Sequence, residues 1–277
     1  MVAPAVVDEG DITVRPLATH AECVACVALQ NEIWGQPGGD AVPASILQVA
    51  ARVGGIVAGA FAPGGEIVGF VFGLPGLLDG EIVHWSHALG VREAARNAGV
   101  GRALKEYQRA ELARRGIGRM YWTFDPLVAK NAHLNLNLLG ARVVQYVQNM
   151  YGTTTSPLHH GLATDRIVVV CETDRDRVRD AQAFARPRGR CAVLSPEPQH
   201  DDVVFDTGEA ARPTTLLLEI PTDMQAVAAS APGRSALWHA ATRRHFEWAL
   251  NNGYSVAELH RDPVTSRAFY VLELRRR

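Results

Sequence analysis

Between an apolar run, EIVHWSHALGV, and a helix-like run, GRALKEYQRAELARRG, the chain reads RNAGVGRAL, from Arg96 to Leu104. A turn needs at most one glycine. Two glycines and an arginine where a strand gives way to a helix suit a loop whose backbone N–H groups come up against something bulky and negative. Arg96, Gly99 and Gly101 spell R-x-x-G-x-G. The first N–H groups of a helix have no internal partner and carry the positive end of its dipole, so the junction is an anion site. Glycines there let a diphosphate approach the backbone. The Walker pattern GxxxxGK[ST] and the dinucleotide pattern GxGxxG are both absent, and the preceding strands read as hairpins, not as the opening of a βαβ unit.

Other residue types could do chemistry nearby. His84 and His87 stand on the strand that leads into the loop, with opposite parity and hence on opposite faces; by the same parity His87 shares a face with Leu89 and Val91. An imidazole titrates near neutrality and suits general base work or substrate binding; a histidine hydrogen-bonded within the core is the alternative. Asp125, at the C-terminal end of the strand GRMYWTFDP, could bind an ammonium group or help cap the next helix. Trp34, at the end of the first helix, could wall a pocket or pack in the core. Cys23 and Cys26 have the spacing of half a zinc site, but they lie in a helix-periodic run and Cys171 and Cys191 form no second pair, so buried thiols are expected and no metal. His159 and His160 fall in a predicted surface loop.

The elements around these residues follow from hydrophobic period and breakers. A strand (ITVRPL), two helices, a hairpin across PGGE, the strand EIVHWSHALGV, a long helix from Gly99 to about Arg115, the strand GRMYWTFDP, a helix from Ala129 to Leu139 and two strands give the order βααβββαβαββ. That order implies an α/β layer fold on one mixed sheet. After Thr173 a charged, proline-bearing stretch reads as linker, followed by a strand, a helix and two strands. This ending repeats the earlier β–α–β–β order: Pro126 and Pro221 close the first strands, Gly140 and Gly253 the helices. It holds no counterpart of the glycine loop.

The 277 residues carry a net charge of −1, which favours no nucleic acid, and no apolar run approaches the roughly 20 residues of a membrane helix. The N-terminus lacks a signal-peptide pattern, so a cytoplasmic protein with reduced thiols is expected.

HALGVREAARNAGVGRAL with its following helix, together with the element order and NAHLNLNLLGA downstream, resembles the acyl-coenzyme A-binding region of the GNAT acyltransferases over roughly residues 11–172. The resemblance implies a GNAT fold, a central mixed and mostly antiparallel sheet flanked by helices, in a domain of residues 1–172. Residues 173–277 would be a linker and a degenerate half-copy. It implies that the backbones of Leu89 and Val91 pair with the pantetheine arm, and that the amides of Asn97, Ala98, Gly99, Val100, Gly101 and Arg102 cradle the pyrophosphate. Arg96 and Arg102 would add charge and Asn131 would contact the pantetheine region. Acetyl- or succinyl-coenzyme A would be the co-substrate, without a metal, and a small-molecule amine the acceptor.

Many members carry a tyrosine proton donor where this chain has Leu136; Tyr151 and Tyr146 are the nearest alternatives. His87, Asp125 and Tyr151 are therefore the candidate catalytic groups and Trp34 a candidate acceptor contact. FDPL, NMYG, GLATDRIVV and the C-terminal extension resemble a subgroup of which some members are associated with N-acylamino-acid racemases and act as N-acyltransferases. A succinyl carboxylate would want an arginine, with Arg119 and Arg142 placed for it. A coenzyme A-binding protein without turnover, and O-acyl transfer or decarboxylation of a thioester, are the competing readings. The C-terminal half could cover the acceptor pocket, form a homodimer interface or stabilise the fold.

Overall fold

The computed structural model describes residues 5–7, 12–35, 41–152, 163–174, 191–195 and 212–275. They form two compact units, one of Met1–Trp122 with Cys171–Arg177 and one of Thr123–Val170 with Val178–Arg277. The units follow packing, and the second takes in most of both β–α–β–β segments. The paired histidines His159 and His160 and most of the expected linker lie outside the described residues.

In the first unit, β1 (Ala5–Val7), β2 (Ile12–Pro16), β3 (Ile56–Phe61), β4 (Ile67–Leu78), β5 (Glu81–Val91) and most of β6 (Arg119–Phe124) lie in that order. Neighbours are antiparallel except β5 and β6, which are parallel. Helix α1 (His20–Trp34) opens on a capping box: Glu22 N–H donates to Thr19 Oγ1 at 3.2 Å, and the Glu22 carboxylate accepts from the Thr19 N–H at 3.3 Å. With α2 (Ala44–Arg52) it covers a core of Cys26, Leu29, Leu47, Phe70 and Phe72. Helix α3 (Val100–Arg114) lies over Gly69, where a Cβ would stand 3.1 Å from Val100, so glycine on β4 sets how closely the helix packs.

The second unit holds α4 (Ala129–Ala132), β7 (Arg142–Val147), most of β8 (Arg166–Glu172), β9 (Cys191–Leu194), β10 (Thr215–Ile220), α5 (Met224–Ser230), α6 (Pro232–Asn251), β11 (Tyr254–Asp262) and β12 (Arg267–Leu274). The expected repeat is visible as geometry. Strand order is β6-β8-β7 in one copy and β10-β12-β11 in the other. Gly140 (φ 65°) and Gly253 (φ 84°) both leave their helices through the left-handed region. Four residues past each glycine the antiparallel register slips, at Val144 in β7 and at Ala257 in β11. Matching bulges at the same offset are hard to assign to a shared element order alone. The copies pack together: the Tyr146 and Phe246 rings stack at 5.2 Å, Tyr270 donates to the Pro126 carbonyl at 2.8 Å, and Asn137 exchanges two hydrogen bonds with the Leu259 backbone.

Four features differ from the sequence expectation. β1 and β9 are strands, although three or four residues show no period that could be read. β9 runs parallel to β10 inside the stretch expected to be linker. α5 is a separate helix, opened by Asp223 accepting from the Ala226 N–H at 3.0 Å. The helix expected from Ala129 to Leu139 is α-helical only to Ala132 and then widens into a π-helix, His133–Leu138.

Candidate functional site

The glycine loop occupies the junction expected of it. Asn97 (φ 67°) and Gly99 (φ 73°) are both left-handed, and Gly99 is the N-cap of α3 with no side chain capping the helix. Asn97 and Gly99 are exposed, as are Arg96 and Arg102, whereas Val100 is buried against β4. Backbone dihedrals thus account for Gly99. They do not account for Gly101, which lies inside the helix without a positive φ. A Cβ there would sit 3.7 Å from Leu89 and 3.8 Å from Val91, which is ordinary contact. A helical glycine costs about 0.5–1 kcal/mol against alanine, and among the described residues nothing asks for one here. The space it leaves opens beside the first turn of α3 and the end of β5. Arg96 turns back, its Nε donating to the Val91 carbonyl at 3.1 Å.

β5 presents an edge to the same region. Its pairing with β6 is confined to His84–Met120 and Trp85–Tyr121, so among the described residues Ser86 to Val91 have no strand on that side. A β-bulge falls at His87, because Phe72 pairs with Ala88 and Gly73 with Ser86. The bulge corrects the parity reading. Leu89 and Val91 face the start of α3, as His84 and Ser86 face the body of that helix. His87 instead meets Phe72 edge to face at 5.8 Å, in the cluster under α1 and α2, while remaining exposed. Simple alternation cannot register an inserted residue.

Trp34 packs edge to face on Phe70 at 5.5 Å and is only partly buried. Cys23 and Cys26 are buried thiols in α1. Arg119 pairs with Glu81 at the start of β6, and Arg142 is exposed on β7.

A buried polar row under β5 escaped the sequence reading. Lys105 Nζ donates to Ser86 Oγ at 2.6 Å and sits 4.2 Å from the centroid of the Trp122 ring. Gln108 Nε2 meets His84 Nε2 at 3.0 Å, and Gly73 leaves room for them. Burial pulls Lys105 down to about 7, opposed by the nearby Cys171 thiol. Burial, then the charges of Lys105 and Arg115, pulls His84 down to about 4. The available signal was spacing: His84 and Ser86 share a strand face, and Lys105 and Gln108 a helix face.

The second unit carries the remaining candidates. Asp125 Oδ1 accepts from the Leu127 N–H at 2.8 Å, closing a turn ahead of α4 rather than capping it, and lies 3.6 Å from Arg166. Tyr151 is 46 % exposed; its hydroxyl is 3.3 Å from Thr123 Oγ1, and the Arg166 guanidinium lies 5.4 Å from its ring centroid. Tyr146 is a poor proton donor, since burial raises its pKa and its hydroxyl is committed to Asp165 at 2.6 Å. Asn131 is exposed on α4, and Leu136 is buried. Among the described residues no three histidine, cysteine or acidic side chains cluster as a metal site would need, and no helix is long and apolar enough to cross a membrane.

No protein-family model matches the chain, and none of the curated proteins compared with it does. Solved structures do. Three of them are described as acetyltransferases. A protein from Salmonella typhimurium described as an acetyltransferase with its cofactor acetyl-CoA is 20% identical, with a TM-score of 0.47, over 64% of this chain and 98% of that one. The ribosomal-protein-S18-alanine N-acetyltransferase of Escherichia coli is 17% identical, with a TM-score of 0.47, over 64% and 99%. A GNAT-family acetyltransferase from Streptococcus pneumoniae is 17% identical, with a TM-score of 0.48, over 58% and 99%.

Proposed function

We propose that the chain is a GNAT-type N-acyltransferase, which moves an acyl group from acyl-coenzyme A to the amine of a small molecule by direct attack in a ternary complex. The observation that carries this reading is Gly101. The fold has room for a side chain there and none is present, beside helix N–H groups that lack internal partners. The backbone from Asn97 to Arg102 would hold the pyrophosphate, and the edge of β5 from Ser86 to Val91, which has no neighbouring strand among the described residues, would bind the amides of the pantetheine arm. When bound, the thioester supplies an activated carbonyl. The chain's part is to orient it and to manage two protons: one leaves the attacking amine and one reaches the departing thiolate.

His87, at the bulge and exposed, is the proposed proton acceptor, and Tyr151 the proposed donor in place of Leu136. Asp125, with Arg166 beside it, is the proposed contact for the acceptor's ammonium, and Asn131 for the pantetheine arm. A thiol with a pKa of about 8.5 leaves tolerably even when its acid is imperfect. We assign an amino acid as the acceptor class, on the subgroup resemblance. Acetyl- and succinyl-coenzyme A are the donors to compare.

Thiol release from acetyl- and succinyl-coenzyme A, measured against D- and L-amino acids and simple amines, tests the reading. Release that depends on the amine is expected. Coenzyme A binding without amine-dependent release would replace it with the second reading, a binding protein without turnover, which the buried Leu136 favours.

A further inference from the structure

The first unit contains a cavity of about 650 Å³ near the C-terminal end of α3, bounded by Gly116, Gly118 and the end of β8. It is roughly 15 Å from the glycine loop, taking 1.5 Å per residue along the helix. Arg109 lines this cavity and is 6 % exposed. Its Nε and Nη2, the edge of a guanidinium that grips a carboxylate with two parallel bonds, have no hydrogen-bond partner among the described residues.

Other arginines of the chain show what that edge ordinarily holds. In Arg92 it grips Glu32 at 2.8 and 3.0 Å, and in Arg243 it grips Asp165 at 2.8 and 2.6 Å. A buried guanidinium with this edge empty is costly, because its desolvation is not offset by bonds. Among the described residues, three carboxylates, Glu106, Glu172 and Asp174, line the same cavity. A dianion such as phosphate would meet repulsion there. A ligand carrying its own positive charge beside a carboxylate matches both signs.

We infer that this cavity is a second ligand site, for a small zwitterion of the α-amino acid type. The ligand's carboxylate is gripped by Arg109 and its ammonium lies toward Glu172. The site is separate from the glycine loop and does not depend on the acyl-transfer reading. Its volume leaves room for such a ligand.

Calorimetric titration of the full chain with a panel of amino acids, acetate, methylammonium and inorganic phosphate tests the inference. Saturable binding of at least one amino acid is expected, with acetate, methylammonium and phosphate each much weaker. Arg109→Gln should weaken that binding by about 30-fold or more while leaving coenzyme A binding unchanged. Binding that survives Arg109→Gln would place the amino acid elsewhere, at an acceptor site, and overturn the assignment. So would a panel with no binder, or phosphate binding as tightly as the amino acids. If Arg109→Gln does not fold, Glu172→Gln decides. It should narrow the preference for the amino acid over acetate, and an unchanged ratio would overturn the site.

Discussion

Gly101 separates a demand of the fold from a demand of a ligand. Because a Cβ there meets only ordinary contacts, Gly101→Ala should stabilise the chain by about 0.5–1 kcal/mol, and it should weaken coenzyme A binding at the same time. Chemical denaturation and a binding titration on one variant check both signs. A variant that is stabilised and binds as before would mean that the gap beside α3 serves no pyrophosphate. Lys105 gives a second residue-scale expectation. The unfolded chain keeps that proton up to about pH 10.5 and the folded chain releases it at about 7. Between those values the unfolded state binds more protons, so this group's contribution raises stability as pH rises from 7 to 10.5 and is flat below 7. Denaturation midpoints of wild type and Lys105→Met, compared across that range, should draw together as pH rises. A constant difference would contradict the burial of an amine that releases its proton near neutrality. Legibility at this scale was uneven. The loop was readable because glycine types and spacing carry its geometry. The Lys105 row was not, because a lysine on a helix face reads as solvated until the neighbouring strand is placed.

The turn that presents Tyr151 is held by the C-terminal copy. Asp165, 1 % exposed at its side chain, accepts from the Asn149 N–H at 2.9 Å and from Tyr146, and is gripped by Arg243 of α6. Thr164 accepts from the Tyr151 N–H at 2.9 Å, and His239 lies 2.8 Å from the Ala163 carbonyl. Arg243→Met should therefore cost about 3–5 kcal/mol, because it strands a buried carboxylate, and adding Asp165→Asn should recover part of the loss. Urea denaturation of the single and double variants measures the recovery; strictly additive losses would show that the pair is not coupled. The helices and longer strands were readable because their periods run over many residues. The bulge at His87 was not, since an inserted residue leaves alternation looking intact in the letters while moving the side chain to the other face. The π-helical turn before Leu139 was likewise hidden, because apolar spacing tolerates either pitch.

The C-terminal copy reproduces strand order, closing glycine and bulge, but not the glycine loop. One coenzyme A per chain is expected in a titration, and two would require a cradle elsewhere. The repeat was legible as element order. That its packing would join the later half of the first copy was not, because partners such as Tyr146 and Phe246 stand a hundred residues apart and carry no local mark of each other.

The second compact unit is discontinuous in sequence: it opens at Thr123 and closes only with β12. Translation delivers residues at about 5–20 per second. The stretch from Thr123 to Val170 therefore leaves the ribosome several seconds before Arg243, Phe246 and Tyr270 exist to pack against it. During that interval Asp165 has no arginine and the Pro126 carbonyl no donor. This protein should depend more on chaperones while nascent than a chain of equal length whose domains close in order, and ribosome-stalled chains ending near residue 200 should be readily cleaved by protease between residues 123 and 170.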